Sequence, residues 1–331
     1  MERVTIPDAA MAMLRRSATA VQPPSPYDDF ETFLAGVYSI IPALPPSLLR
    51  KLVKFGNDPH EYGALLVSNF PIDENLPTTP LDGKPSKEKQ TFVSEACALA
   101  VSVLLGQPFG YHDEKDGDII HSLSPVRTEA QATSNESSDI ELGFHTDFNF
   151  DKNHPERPYN VHNPDYIVLL CLRGDRHGEA YTRYADARDI VRQLSPAQLE
   201  TVRAPRYQFC ASYSFTRCDE ERAWSVPSPL IIGPDEFPEV SIDLMCGLRA
   251  VDEEAGAAIH ALREVCERPD VSTRVCLRPG DLLVIDNRKG AHSRTAFTAY
   301  FDGQDRWLHR VYVRRSLFEL RSPSNAALRV F

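Results

Sequence analysis

This 331-residue sequence predicts a mainly β fold with flanking helices, built on a double-stranded β-helix of the jelly-roll, cupin-like kind. Three observations carry that expectation. From Asp118 onward, short β-rich runs bounded by turn residues dominate. Two brief stretches, Phe144-His-Thr-Asp147 and Gly290-Ala-His-Ser-Arg294, read as the halves of one metal site although their histidines stand 147 positions apart. Near the C-terminus, the run from Arg306 to Val313 alternates as a half-buried strand does.

Taken in order, residues 1–60 read as a mostly helical packing layer, with a break at Pro23-Pro24-Ser25-Pro26 and an amphipathic stretch from Val37 to Phe55 interrupted at Pro42, Pro45 and Pro46. Ser86 to Leu105 opens with a serine suited to an N-cap and carries apolar residues at helical spacing. Strands follow, with Asp252 to Glu267 as an intervening helix. The ligand spacing is long for a bare barrel and implies an insertion within residues 185–270 of a single domain spanning 1–331. No internal repeat or low-complexity segment interrupts it.

The candidate site rests on side-chain direction. His145 and Asp147 are two residues apart, so on an extended strand both project from one face. With His292 they supply two imidazoles and a carboxylate, the facial triad of non-haem Fe(II) oxygenases, which leaves positions open for a co-substrate and O2. A His-x-Asp pair alone arises by chance in many chains. The strand after His292 sharpens the reading, because it places Arg306, Leu308, Arg310 and Tyr312 on one face. If that face is the interior, two buried guanidiniums need anions, and a 2-oxo dicarboxylate and an amino-acid carboxylate would supply them through bidentate pairing.

The block Leu277-Arg-Pro-Gly-Asp-Leu-Leu-Val-Ile-Asp-Asn287, then His292-Ser-Arg-Thr-Ala-Phe297 and Asp302-Gly-Gln-Asp-Arg-Trp-Leu-His-Arg-Val-Tyr312, resembles clavaminate synthase and its relatives. Those relatives include Fe(II)/2-oxoglutarate-dependent hydroxylases of free arginine, asparagine and lysine. Gly63 to Ile72, Leu76-Pro-Thr-Thr-Pro80, Ser134 to Asp147 and Asn163 to Arg173 agree, so the resemblance spans roughly residues 60–315.

The resemblance implies that His145, Asp147 and His292 bind Fe(II), with Asp147 where many relatives carry Glu. Arg306, fourteen residues after His292, matches the arginine that grips the distal carboxylate of 2-oxoglutarate. Thr182 matches a threonine that assists it, and reads equally as an ordinary strand threonine. Arg310 matches the arginine facing the substrate α-carboxylate, or forms a structural ion pair. Asn135 aligns with a serine that contacts the amino-acid backbone. His121 lies where a Gln or His of relatives approaches the substrate, with an ordinary hydrogen-bonded histidine as the plainer reading. Asp243 is the acidic residue offered to a cationic side chain, and a single carboxylate tilts the reading toward lysine rather than arginine. The implied reaction consumes 2-oxoglutarate and O2, releases succinate and CO2, and hydroxylates an unactivated carbon, Cβ or Cγ, of a free L-amino acid. Desaturation or ring closure shares the same iron site.

Residues 151–162 are the clearest local departure from those relatives. Pro155, Pro158 and mixed charges make this a loop near the mouth of the site, either a water-excluding lid or an incidental insertion. His154 and His162 lack a carboxylate at ligand spacing, so no second metal is expected.

Composition limits the function classes. A formal charge of -11 argues against a nucleic-acid partner and suits a cationic small substrate. No apolar run approaches the ~20 residues of a membrane helix. The N-terminus lacks the pattern of a secretion signal, and seven cysteines without a Cys-x-x-Cys pair suit a reducing cytoplasm. Oligomeric state is not legible. A cupin-like isomerase or hydrolase would use the same ligand types with Zn2+, but would not need the inward pair Arg306 and Arg310. A non-catalytic binding protein would not need all three ligands.

Overall fold

A computed structural model of the chain describes all residues except 22–23, 130–138, 148–162, 211–223, 246 and 321–328. Strand β1 (Glu2–Thr5) leads into helices α1 (Asp8–Thr19), α2 (Phe30–Val37) and α3 (Pro46–Asn57). Next come β2 (Ala64–Ser68), α4 (Val93–Leu105), β3 (Gln107–Phe109), β4 (Ile120–Leu123), β5 (Leu142–His145), β6 (Tyr166–Arg173) and β7 (Tyr181–Asp186). Helices α5 (Ala187–Gln193) and α6 (Pro196–Arg203), short strands β8 (Tyr207–Phe209), β9 (Ile231–Ile232), β10 (Glu239–Val240) and β11 (Leu248–Ala250), and helix α7 (Glu253–Glu267) follow. The chain then returns through β12 (Ser272–Cys276), β13 (Leu282–Asp286), β14 (Gly290–Arg294) and β15 (Trp307–Arg314).

The larger sheet has the order β1-β2-β13-β6-β15-β3, with β4 also pairing β15, and the smaller one runs β12-β7-β14-β5. Side-chain alternation decides what each face covers. Leu66, Ile167, Leu169, Leu283 and Leu308 of the larger sheet meet Tyr184 and Val275 of the smaller one in a single buried cluster. Their strand neighbours Leu65, Val168, Leu170, Val284 and Val311 turn the other way and pack against α1 to α4. With both faces covered, β6 and β13 read as continuous apolar runs rather than alternating ones. The outer face of the smaller sheet, through Phe144, Ala185 and Ala291, packs against residues of α5 to α7.

Two positions at strand starts require glycine. Gly280 has φ +82° at the turn into β13, a left-handed conformation that glycine adopts without a Cβ penalty. Gly290 begins β14, and a Cβ there would lie 2.3 Å from the Ala185 carbonyl oxygen and 2.4 Å from the Tyr184 hydroxyl. Only glycine lets β14 lie against β7 at that point.

Two local expectations from the sequence change in the fold. The first residues form a strand, β1, which adds in parallel to β2 at the sheet edge. Helix α4 starts at Val93 rather than Ser86, because Asp73 accepts from the backbone N–H groups of Val93 (3.0 Å) and Ser94 (3.1 Å) and so caps the helix from a distant loop. Asp73 also belongs to a buried charge cluster under β15. Lys89 Nζ lies 2.8 Å from Asp73 Oδ2 and pairs with Glu95, which in turn is 3.2 Å from His309 Nε2. Tyr27 donates to Glu95 at 3.3 Å. The cluster ties the N-terminal helices to the outward face of the strand whose inward face carries the two arginines.

Burial opposes the charged form of Glu95, but Lys89 and His309 outweigh it and hold its carboxyl well below the usual range. A depressed folded pKa means this contribution to stability is full above the unfolded value of 4.5 and is lost as pH falls through the folded one. Lys89→Met removes the one lysine between two buried carboxylates, and urea unfolding at neutral pH should show a loss of about 3–5 kcal/mol. Acidification below the ordinary glutamate pKa should narrow the gap between wild type and variant.

Candidate active site

The pairing of β14 with β5 sets His292 directly opposite His145. Their ring centroids are 4.3 Å apart. Asp147 Oδ1 lies 3.3 Å from His145 Nε2 and 3.6 Å from His292 Nε2, and the three donor atoms fall within 4.8 Å of one another. Among the described residues this is the one group of histidine, cysteine or carboxylate side chains with metal-site spacing. His145 Nδ1 lies 2.8 Å from the Gly143 carbonyl oxygen. A carbonyl only accepts, so Nδ1 carries the proton and Nε2 is the nitrogen turned toward Asp147. Such a contact behind the ring fixes the orientation of a metal-binding imidazole.

The three side chains are electrostatically coupled. Burial works against the Asp147 carboxylate, but the hydrogen bond from His145 and the nearby His292 and Arg310 hold it well below the usual carboxylate range. Burial likewise works against a charged His145, yet Asp147 outweighs it and raises its pKa. Burial, together with the charges on His145 and Arg310, pushes His292 down to about 3, so its imidazole is neutral and keeps a lone pair to donate. Two imidazoles and one carboxylate on one side of a point could hold a divalent metal with its remaining positions open.

The triad lines a cavity shared with Thr182, Arg294, Arg306 and Arg310, walled by apolar residues such as Leu123, Ile167 and Leu308. Strand β15 provides the alternation that the sequence predicts: Leu308 and Tyr312 join the inner cluster, while Trp307, Val311 and Val313 join the outer one. The two arginines then differ in a way alternation does not reveal. Arg306 is 8% exposed and, among the described residues, has neither a hydrogen bond nor an ion pair. Burial lowers its pKa, the signature of a guanidinium short of counter-charge. Arg310 is also buried, but its Nη2 pairs with Glu114 and lies 2.7 Å from His121 Nδ1, and its Nη1 is 3.7 Å from Asp147 Oδ2. Its need for an anion is already met by the protein, contrary to the expectation that both guanidiniums await ligands.

His121 does not line the cavity. It is 1% exposed, with Nε2 at 2.8 Å from the Asp118 carbonyl oxygen and Nδ1 accepting from Arg310. Both ring nitrogens are spent, which corrects the expectation of substrate contact: His121 stands behind Arg310. Thr182, on β7 opposite Arg294 of β14, faces the cavity. Asp243 bridges to His145 through the main chain, is half-buried, and accepts from the Met245 N–H at 3.0 Å. Asn135 and residues 151–162 lie outside the described residues.

Two functional neighbours escaped the sequence reading. Glu114 sits in Glu114-Lys115-Asp116-Gly117-Asp118, which reads as a solvated turn, so nothing local marks it as the buried partner of Arg310. Asn287 follows the apolar strand β13 and touches Asp147, 140 positions away. A polar residue ending an apolar run was its only signal. The strand β5 itself stops at His145, so Asp147 is placed by these tertiary contacts rather than by strand geometry.

Comparison with known proteins identifies the family. The model of the taurine catabolism dioxygenase TauD, TfdA family matches residues 45–312. The chain is 32% identical to L-asparagine oxygenase of Streptomyces coelicolor, over 85% of this chain and 79% of that protein. It is 30% identical to clavaminate synthase 2 of Streptomyces clavuligerus, over 88% and 86%. An asparagine oxygenase solved with Fe(II), (2S,3S)-3-hydroxyasparagine and succinate superposes with a TM-score of 0.86 at 27% identity, covering 100% of this chain and 99% of that one. With a facial His-Asp-His group set beside a buried arginine, and with matches of this extent, the chain belongs to the TauD/TfdA dioxygenase family and, within it, to the clavaminate synthase-like Fe(II)/2-oxoglutarate-dependent oxygenases.

Proposed function

We propose that the protein hydroxylates Cβ or Cγ of a free L-amino acid, coupling this to conversion of 2-oxoglutarate and O2 into succinate and CO2. The observation that carries the reading is Arg306, a buried guanidinium without a protein partner among the described residues, in the same cavity as the triad. A dicarboxylate is the kind of ligand that satisfies it, through charge-assisted paired hydrogen bonds. His145, Asp147 and His292 hold the metal, and Thr182 assists Arg306. Iron bound there supplies the oxidising power for C–H hydroxylation. The chain's own residues bind and orient: Arg306 takes the far carboxylate of 2-oxoglutarate, the apolar walls exclude water, and Arg310, held by Glu114 and His121, faces the α-carboxylate of the amino acid.

The side-chain end is assigned to Asp243, with Asn135 on the amino-acid backbone. A cationic substrate of the lysine type suits the single carboxylate and the negative net charge. The 32% identity to an L-asparagine oxygenase favours a second reading, an amide side chain donating to the same carboxylate. The two sheets are assigned to one double-stranded β-helix in a single domain, 1–331, with residues 1–60 as a packing layer and 185–270 inserted between the ligand strands. A cytoplasmic setting belongs to the same reading, supported by the five free thiols among the described residues.

His292→Ala should abolish iron-dependent succinate release while circular dichroism shows a folded protein, and near-normal turnover would remove His292 from the ligand set. Arg306→Leu should raise the 2-oxoglutarate concentration needed for half-maximal turnover on the order of a hundredfold, the equivalent of breaking a buried pair. An unchanged requirement would assign the distal carboxylate to another residue. Succinate release should be stimulated by free lysine or ornithine more than by asparagine, and Asp243→Asn should weaken the cationic substrate far more than 2-oxoglutarate. Stimulation by asparagine alone would select the amide reading, and indifference to Asp243→Asn would remove that residue from the substrate site.

A further inference from the structure

We infer that Asn287 is a positioning residue for the metal centre: it fixes the peptide of Asp147 and so sets where that carboxylate stands relative to His292. This inference rests on the proposed ligand role of Asp147. Strand β5 ends at His145, so Asp147 lies beyond its regular pairing. Its peptide is instead held by one buried side chain. Asn287 Oδ1 accepts from the Asp147 N–H at 2.9 Å, and Asn287 Nδ2 donates to the Asp147 carbonyl at 3.1 Å. This two-point contact imitates the exchange between opposed residues of an antiparallel ladder, with a carboxamide in place of a partner strand. An Asp side chain has only two rotatable bonds, so fixing its backbone confines its carboxylate to a small region.

Two further contacts make Asn287 the common anchor of the site. The same Nδ2 donates to the Pro164 carbonyl at 3.1 Å, which joins the residues on either side of positions 148–163 at one point. The backbone N–H of Asn287 donates to the Asp165 carbonyl at 2.9 Å, and only Arg288 and Lys289 separate Asn287 from β14, the strand that carries His292. One side of Asn287 therefore grips one ligand while its own chain leads directly into the strand bearing another. The residue is 1% exposed, so water cannot replace a lost contact, and both of its amide hydrogens find carbonyls while its oxygen takes an N–H.

The test titrates metal-free full-length protein with Co(II), a redox-stable stand-in, following its visible d–d absorption, alongside melting curves of the metal-free proteins. Asn287→Ala should weaken Co(II) binding about 10–100-fold, the range found when partners behind metal ligands are removed. Asn287→Asp is nearly isosteric, keeps the acceptor for the Asp147 N–H, and loses both donors. It should also bind Co(II) more weakly, although added negative charge alone would strengthen cation binding, and it serves if the alanine variant fails to fold. In an Asp147→Ala background, Asn287→Ala should cause no further weakening, since Asn287 acts through that ligand. Wild-type Co(II) affinity in the Asn287 variants, with or without a lower melting temperature, would overturn the inference, as would additive losses in the double variant. If Asp147→Ala alone leaves Co(II) binding intact, the ligand reading of Asp147 fails, and Asn287 loses its role with it.

Discussion

The site depends on the antiparallel pairing of β14 with β5. Because His292 lies opposite His145 in that ladder, two imidazoles from distant parts of the chain meet without a special loop. The same pairing turns Phe144 and Ala291 outward into the cluster that the connecting helices cover. A one-residue slip would exchange these sets, sending the histidines out and the apolar residues in. The core therefore holds the register that the chemistry requires. Gly290 is part of the cost, since β14 can approach β7 at its start only without a side chain.

Strand β15 is organised around a second division of faces. Arg306, immediately before it, faces the cavity, and the strand's inward face locks Arg310 against Glu114 and His121. Its outward face joins the apolar helical layer and presents His309 to the Lys89, Asp73 and Glu95 cluster. Charge on both sides of one central strand is tolerated because nearly all of it is matched within the protein. Among the described residues Arg306 is the exception, and its unmet charge is the feature that most directly recommends an anionic co-substrate.

The three candidate ligands are anchored by different means. His292 rides on a strand paired on both sides, and His145 ends a strand with its Nδ1 on the Gly143 carbonyl. Asp147 has no strand pairing, and Asn287 provides the equivalent through a side chain. A carboxylate placed past the end of its strand can lie between the two imidazoles instead of continuing the ladder away from them.

The sequence by itself determined the ligand types, the two-residue spacing of His145 and Asp147, the alternation that turns Arg306 and Arg310 to one face, and the family to which the chain belongs. Periodicity suffices for the two arginines, because strand geometry converts neighbours in sequence into neighbours on a face, and local motif chemistry suffices for the ligand types, although Asp147 itself lies past the end of β5. The helix expected over Asp252 to Glu267 was legible from the sequence as well, and forms as α7. The tertiary structure alone decided which arginine lacks a protein partner among the described residues. Arg306 and Arg310 are equivalent by alternation, and they differ only because Glu114 and His121 fold back onto one of them. It likewise decided that α4 begins at Val93, through a cap supplied by Asp73 from another segment, and that Asp147 is held by Asn287 across 140 positions. Contacts of that kind leave no periodic trace, because a hydrogen bond between distant residues constrains only two positions and no pattern between them.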